Sequence, residues 1–225
     1  YEDLKTVNSS LIYCSLTGYG QTGPLRGRAG HDINYLARSG LMAYSGTKDR
    51  GPSLTGMQIA DVASGSNNAV IGILAAVIYR KDTGKGQHVD ISMTDGVMAF
   101  NAMAATTYLA GAEEPKREQE FLNGGSLYDF YETQDGQYIS FGGLEAQFFA
   151  AFCRIIGRED LIPFGIVPPN LEKVKKEIRE IFLQKTRDEW TKIFSQVDAC
   201  VEPVLSLAEA IDDENTRARG MVVEF

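Results

Sequence analysis

Residues 61–93 read DVASGSNNAVIGILAAVIYRKDTGKGQHVDISM, and this stretch decides the fold class. Val70, Ile73, Leu74, Val77 and Ile78 recur at helical spacing, which predicts a helix over 61–80. Asp61 stands where an N-cap belongs, and Gly84 where a helix is closed by a left-handed residue. Residues 87–93 then alternate as a strand. On the N-terminal side, residues 9–17 (SSLIYCSLT) read as a buried strand, and a Gly-rich loop follows over 18–30. On the C-terminal side, residues 94–109 read as a second helix. Strand, helix, strand, helix predicts an α/β layer with parallel pairing.

The composition changes after Ala110. Residues 111–120 are charged and carry Pro115, so they read as a linker or exposed loop. Segments 126–133 and 137–141 flank Asp135-Gly136, a hairpin signal. Helices are expected over 146–156, 170–184 and 187–197, the last opened by a capping box of Thr186 and Glu189. This half reads as a small α+β domain. There are no internal repeats.

The 225 residues are 44% hydrophobic and 23% charged, with a net charge of −8. That balance argues against nucleic acid and anionic membrane surfaces as partners, while a few local Arg or Lys residues suffice for a phosphate-bearing ligand. No uninterrupted apolar run reaches 18 residues, so no spanning helix is expected. The first residues lack a basic flank followed by an apolar stretch and do not read as a secretory signal. The chain begins at Tyr1 rather than Met, and 221–225 look like a strand cut short, so it reads as an internal piece of something longer. Cys14, Cys153 and Cys200 are far apart and odd in number, which points to free thiols in a reducing, cytoplasmic compartment.

Gly18-Tyr19-Gly20-Gln21-Thr22-Gly23 fits G-x-G-x-x-G after a strand, but Pro24, Gly27 and Gly30 break the helix a dinucleotide site needs. The loop either brings backbone N–H groups near a ligand or is a purely structural turn. There is no G-x-S-x-G elbow and no C-x-x-C or H-x-x-x-H pair, so neither a hydrolase elbow nor a metal site is expected. Gly84-Lys85-Gly86-Gln87 lacks Walker spacing and reads as a turn. His88 lies within a strand and reads as structural. His31 follows the Gly-rich loop, beside the carboxylate of Asp32, and is the better candidate for chemistry. Asp61 has two readings. It is a cap, or it is a reacting carboxylate beside an oxyanion site made of the free amides of its helix. The residues alone leave both open.

Five ordered blocks resemble the type III (CaiB/BaiF) coenzyme A transferase family, which also contains the α-methylacyl-CoA racemases. They are Leu16-Thr17-Gly18-Tyr19-Gly20-Gln21-Thr22-Gly23-Pro24, then Ala29-Gly30-His31-Asp32-Ile33-Asn34-Tyr35, Ala60-Asp61, Thr83-Gly84-Lys85-Gly86-Gln87 and Leu144-Glu145-Ala146-Gln147-Phe148. Weaker similarity continues through 198–204.

The resemblance implies that Asp61 is the nucleophile of a transferase or one proton-transfer base of a racemase. His31, which matches the racemase form, is then the other base. It further implies catalytic parts for Asp32 and Glu145, an active-site position for Tyr128, and substrate or coenzyme A contacts from Arg26, Arg28 and Tyr35. It implies a Rossmann-like large domain, incomplete here, that includes 1–110. A linker at 111–125, a small α+β domain at 126–205 and a truncated return segment at 206–225 complete the chain. The subunits would form an interlocked homodimer in which His31 and Asp61 face the partner's small domain. The implied reaction is racemisation of 2-methylacyl-CoA thioesters, with coenzyme A as part of the substrate and no permanent cofactor. The alternatives are coenzyme A transfer between carboxylic acids and an inactive binding subunit or fragment of the family fold.

Overall fold

The structure is a computed structural model that describes residues 1–223. Glu224 and Phe225, the end of the expected terminal strand, lie outside the described residues, and 221–223 form no strand. The chain divides into two compact units, Tyr1–Glu118 and Gln119–Phe225.

The first unit runs α1 (Glu2–Val7), β1 (Tyr13–Thr17), α2 (Asp32–Arg38), α3 (Leu41–Tyr44), a π-helical turn (Ala60–Ser66), α4 (Asn67–Thr83), β2 (His88–Ser92), α5 (Met93–Phe100) and α6 (Ala102–Leu109). β1 and β2 pair in parallel, from Tyr13 opposite His88 to Thr17 opposite Ser92. The helix between them supplies the crossover that parallel strands require. Gly84 (φ 73°) closes α4, and its N–H donates to Arg80 O. His88 is structural, with Nε2 2.9 Å from Ser15 Oγ.

Three expectations change here, and the facing of α4 is a new finding. Asp61 is not an N-cap but sits inside the first turn of the π-helical segment. The apolar stripe of α4 does not face its own unit. Val70, Leu74 and Ile78 are 56%, 57% and 64% exposed, and the buried residues are Ala69 and Ala76. Small residues face the sheet because there is no space for more: a Cβ on Gly72 would fall 2.7 Å from Val89. The helix expected over 94–109 breaks at Asn101, whose buried amide donates to Ser39 O at 2.9 Å and accepts from Tyr44 Oη at 2.6 Å. A side chain committed to the α2–α3 turn fixes the local backbone and ends the helix there. Finally, Ala60–Thr83 forms 24 continuous helical residues, long and apolar enough by length and composition to cross a membrane. Counting unbroken apolar runs missed it because Ser64, Ser66, Asn67 and Asn68 interrupt them.

The second unit contains β3 (Asp129–Glu132), β4 (Tyr138–Phe141), α7 (Ala146–Ile155), a 3₁₀ turn (Glu159–Phe164), α8 (Leu171–Phe182), α9 (Arg187–Phe194), β5 (Val201–Pro203), α10 (Leu207–Asp212) and α11 (Glu214–Ala218). The sheet is antiparallel in the order β3-β4-β5. Gly136 (φ 72°) turns the β3–β4 hairpin, as Asp135-Gly136 predicts. The Thr186–Glu189 capping box opens α9. Phe141 stacks on Phe152 at 3.8 Å between centroids, and Phe149, Phe182, Trp190 and Phe194 join them in one buried cluster. β5, α10 and α11 are elements that the sequence reading did not anticipate.

Candidate active site

A cleft of about 440 Å³ opens in the first unit. Three parts of the chain line it: the start of α2 (His31, Asp32, Ile33, Leu36), Met42 of α3, and residues 53–58 leading into Asp61. The lining is mixed, with the polar groups of His31, Asp32 and Asp61 and the apolar side chains of Ile33, Leu36, Met42, Leu54 and Met57.

His31 caps α2 in an extended conformation (φ −131°, ψ 174°). Its backbone N–H donates to Asn34 Oδ1 at 3.0 Å. The local backbone is thus held by the main chain and Asn34, and the imidazole is left exposed at the cleft.

Asp61 is half-buried, and its backbone is fixed from several sides. Asp32 Oδ1 accepts from Ala60 N–H at 2.6 Å and from Asp61 N–H at 3.2 Å. Val62 N–H donates to Gln58 O at 3.0 Å, and Ser66 Oγ donates to Asp61 O at 3.0 Å. Asp32, rather than Asp61, is therefore the side-chain cap of this helix. The amides of residues 60–62 are all taken, so they do not form the oxyanion site that a free helix start would offer. The π-helical turn is packed tightly: Ser64 Oγ donates to Met93 O at 2.6 Å, and a Cβ on Gly96 would fall 2.0 Å from Ser64 Oγ. Isolated π turns inside helices occur frequently at functional sites.

Two amides of the Gly-rich loop are engaged by side chains of this unit. Gly20 N–H donates to Thr17 Oγ1 at 3.0 Å, and Gln21 N–H donates to the Asp90 carboxylate at 3.0 Å. Tyr35 is buried, and its hydroxyl donates to Gly30 O. A Cβ on Gly18 would fall 2.3 Å from the Tyr35 ring, so Gly18 has no room for a side chain. Burial first, then Tyr19 and the Asp61 charge, push the Tyr35 phenol up. Tyr35 thus braces the loop that leads into His31 and does not line the cleft. Arg26 and Arg28 are exposed on that loop, also outside the cleft lining.

Glu145 and Tyr128 lie in the second unit. Glu145 is exposed at the start of α7, and its side chain makes no cap hydrogen bond. The Tyr128 ring lies against Gly142, whose N–H donates to Cys200 O at 2.9 Å. Cys200 has a left-handed backbone (φ 52°). Burial, then the carboxylates of Asp198, Glu145 and Glu202, push its thiol up. His31, Asp32 and Asp61 are therefore brought together within one unit, and Glu145 and Tyr128 border one turn of the other. The sequence reading gave no part to residues 53–58. Their one local signal is position, directly ahead of Ala60-Asp61.

Among the described residues, no group of three or more His, Cys, Asp or Glu is placed to hold a metal ion.

The family model for CoA-transferase family III matches residues 1–225. The chain belongs to CoA-transferase family III. Within that family it is 35% identical over 224 residues to the alpha-methylacyl-CoA racemase of Homo sapiens, covering 99% of this chain and 59% of the relative. It is 33% identical over 231 residues to the succinyl-CoA:glutarate CoA-transferase of Mus musculus, covering 100% of this chain and 52% of the relative. The crystal structure of a CAIB/BAIF family protein from Brucella suis superposes with a TM-score of 0.82 at 30% identity, covering 99% of this chain and 60% of that one. The chain thus spans between half and three-fifths of the length of these family members.

Proposed function

We propose that the full-length protein racemises 2-methylacyl-CoA thioesters, with His31 and Asp61 as its two proton-transfer groups. The observation that carries this reading is that an imidazole and a carboxylate line one cleft together with apolar side chains able to take an acyl chain. One group takes the α-proton, and the C–H electron pair delocalises into the thioester as an enolate. The other group delivers a proton to the opposite face, and the electron pair returns to carbon. A His–Asp pair supplies one base and one acid in either direction. The enolate oxygen draws its hydrogen bonds from donors other than the amides of residues 60–62, which are already engaged. Glu145 and Tyr128 would complete the site from the partner of an interlocked homodimer, with the first unit forming part of a Rossmann-like large domain. The 35% identity to a racemase supports the choice of reaction.

A second reading is coenzyme A transfer between carboxylic acids, with Asp61 as nucleophile. The position of Asp61 at the cleft and the 33% identity to a CoA-transferase favour it. Incubating the full-length enzyme with one enantiomer of a 2-methylacyl-CoA in D₂O separates the two. Racemisation requires deuterium at the α-carbon together with inversion. A protiated α-carbon, with coenzyme A appearing on an added carboxylate, would replace it with the transferase reading.

A further inference from the structure

Asp32 ties the two candidate reacting groups together. It follows His31 directly in the chain, and its carboxylate Oδ1 accepts from the amides of Ala60 and Asp61 at 2.6 and 3.2 Å. Two amide donors thus converge on one acceptor oxygen. Downstream of Asp61 the chain has little freedom. Ser64 is bonded to Met93 O, and neither Gly65 nor Gly96 has space for a Cβ, with contacts at 2.9 and 2.0 Å. The start of the helix is the end left to be fixed, and Asp32 fixes it.

We propose that Asp32 is a positioning residue that sets the separation of His31 and Asp61 across the substrate carbon and does not itself carry a proton. The proposal rests on the functional reading above only in taking Asp61 as a reacting group. Because Asn presents the same acceptor oxygen and caps helices as well as Asp, the two substitutions at this position divide sharply.

The experiment compares Asp32→Asn and Asp32→Ala in the full-length enzyme. It measures kcat and KM for α-proton exchange of a 2-methylacyl-CoA, and amide hydrogen exchange at Ala60 and Asp61 by NMR. Asp32→Asn should keep both amides protected and hold kcat within about fivefold of wild type, since the cap persists. Asp32→Ala should expose both amides and lower kcat by roughly 10²-fold with KM little changed, the size of effect expected from a misplaced reacting group. An Asn variant as inactive as the Ala variant, with its amides still protected, would overturn the proposal and make Asp32 a proton carrier. Wild-type turnover by an Ala variant with unprotected amides would overturn it as well. If the wild type neither exchanges protons nor transfers coenzyme A, the functional reading falls. Amide protection then decides alone, and unchanged protection in Asp32→Ala rules the grip out.

Discussion

The two units of this chain solve opposite problems. The second closes a core of its own: Phe141, Phe149, Phe152, Phe182, Trp190 and Phe194 are all at most 4% exposed. The first gathers His31, Asp32 and Asp61, and its buried cluster among the described residues is the smaller set Tyr35, Leu36, Ala60 and Val97, with partly buried side chains packed against it. Meanwhile Val70, Ile71, Leu74, Ile78, Met103 and Leu109 stay more than half exposed. Val70, Leu74 and Ile78 recur four residues apart, so α4 carries an exposed apolar stripe. The larger buried core thus lies in one unit and the candidate proton-transfer pair in the other, and substitutions should separate the two.

The largest separation is expected from Asp61→Asn. Its side chain caps nothing, so thermal melting should be unchanged, while turnover of the full-length enzyme should fall by roughly 10²–10⁴-fold. Equal losses of melting temperature and turnover would break the division. The mirror image is Phe152→Ala, which removes a fully buried ring from the aromatic cluster. Chemical denaturation should show a loss of about 3–5 kcal/mol. Thr186→Ala removes one half of a formed capping box and should cost about 1 kcal/mol by the same measurement.

A pH effect also belongs to the second unit. Arg187 donates to Glu209 at 2.5 Å and, with Ser206, holds that carboxyl down at about 2. A lowered folded-state value stabilises the fold above the ordinary carboxylate range, and the gain is lost as pH falls toward about 2. Melting curves of Glu209→Gln should lack that part of the acid slope. The smallest effect is expected from Leu74→Ala on the outer face of α4, within about 0.5 kcal/mol for this chain. A loss of 2 kcal/mol or more would mean that the face is already covered, and the contrast between the units would fail.

What was legible in the sequence follows the same line. Signals carried by local backbone chemistry held: Gly84 ends α4, Asp135-Gly136 turns the hairpin, and Thr186 and Glu189 open α9. The parallel strand pair also followed from two strand-like segments on either side of a helix. The direction of α4 did not. Its helical period is real, but periodicity gives a stripe and not its partner, and here Ala69 and Ala76 face inward. The cap of Asp61 was misread for a related reason. Asp32 lies 28 residues upstream of Ala60, and no local pattern shows that its carboxylate reaches across. His31, Asp32 and Asp61 stood out through the resemblance, and the cleft they share depends on residues 53–58, which carry no motif.

The central claim is that His31 and Asp61 address opposite faces of one carbon. The most direct test follows each enantiomer of a 2-methylacyl-CoA separately in D₂O, by proton NMR and mass spectrometry, with the full-length enzyme and its His31→Ala and Asp61→Asn variants. The account predicts that the wild type labels and inverts both enantiomers. Each variant loses racemisation but retains slow exchange of one enantiomer, and the two variants retain opposite ones. A wild type that leaves both enantiomers protiated, or two variants that exchange the same enantiomer, would contradict it.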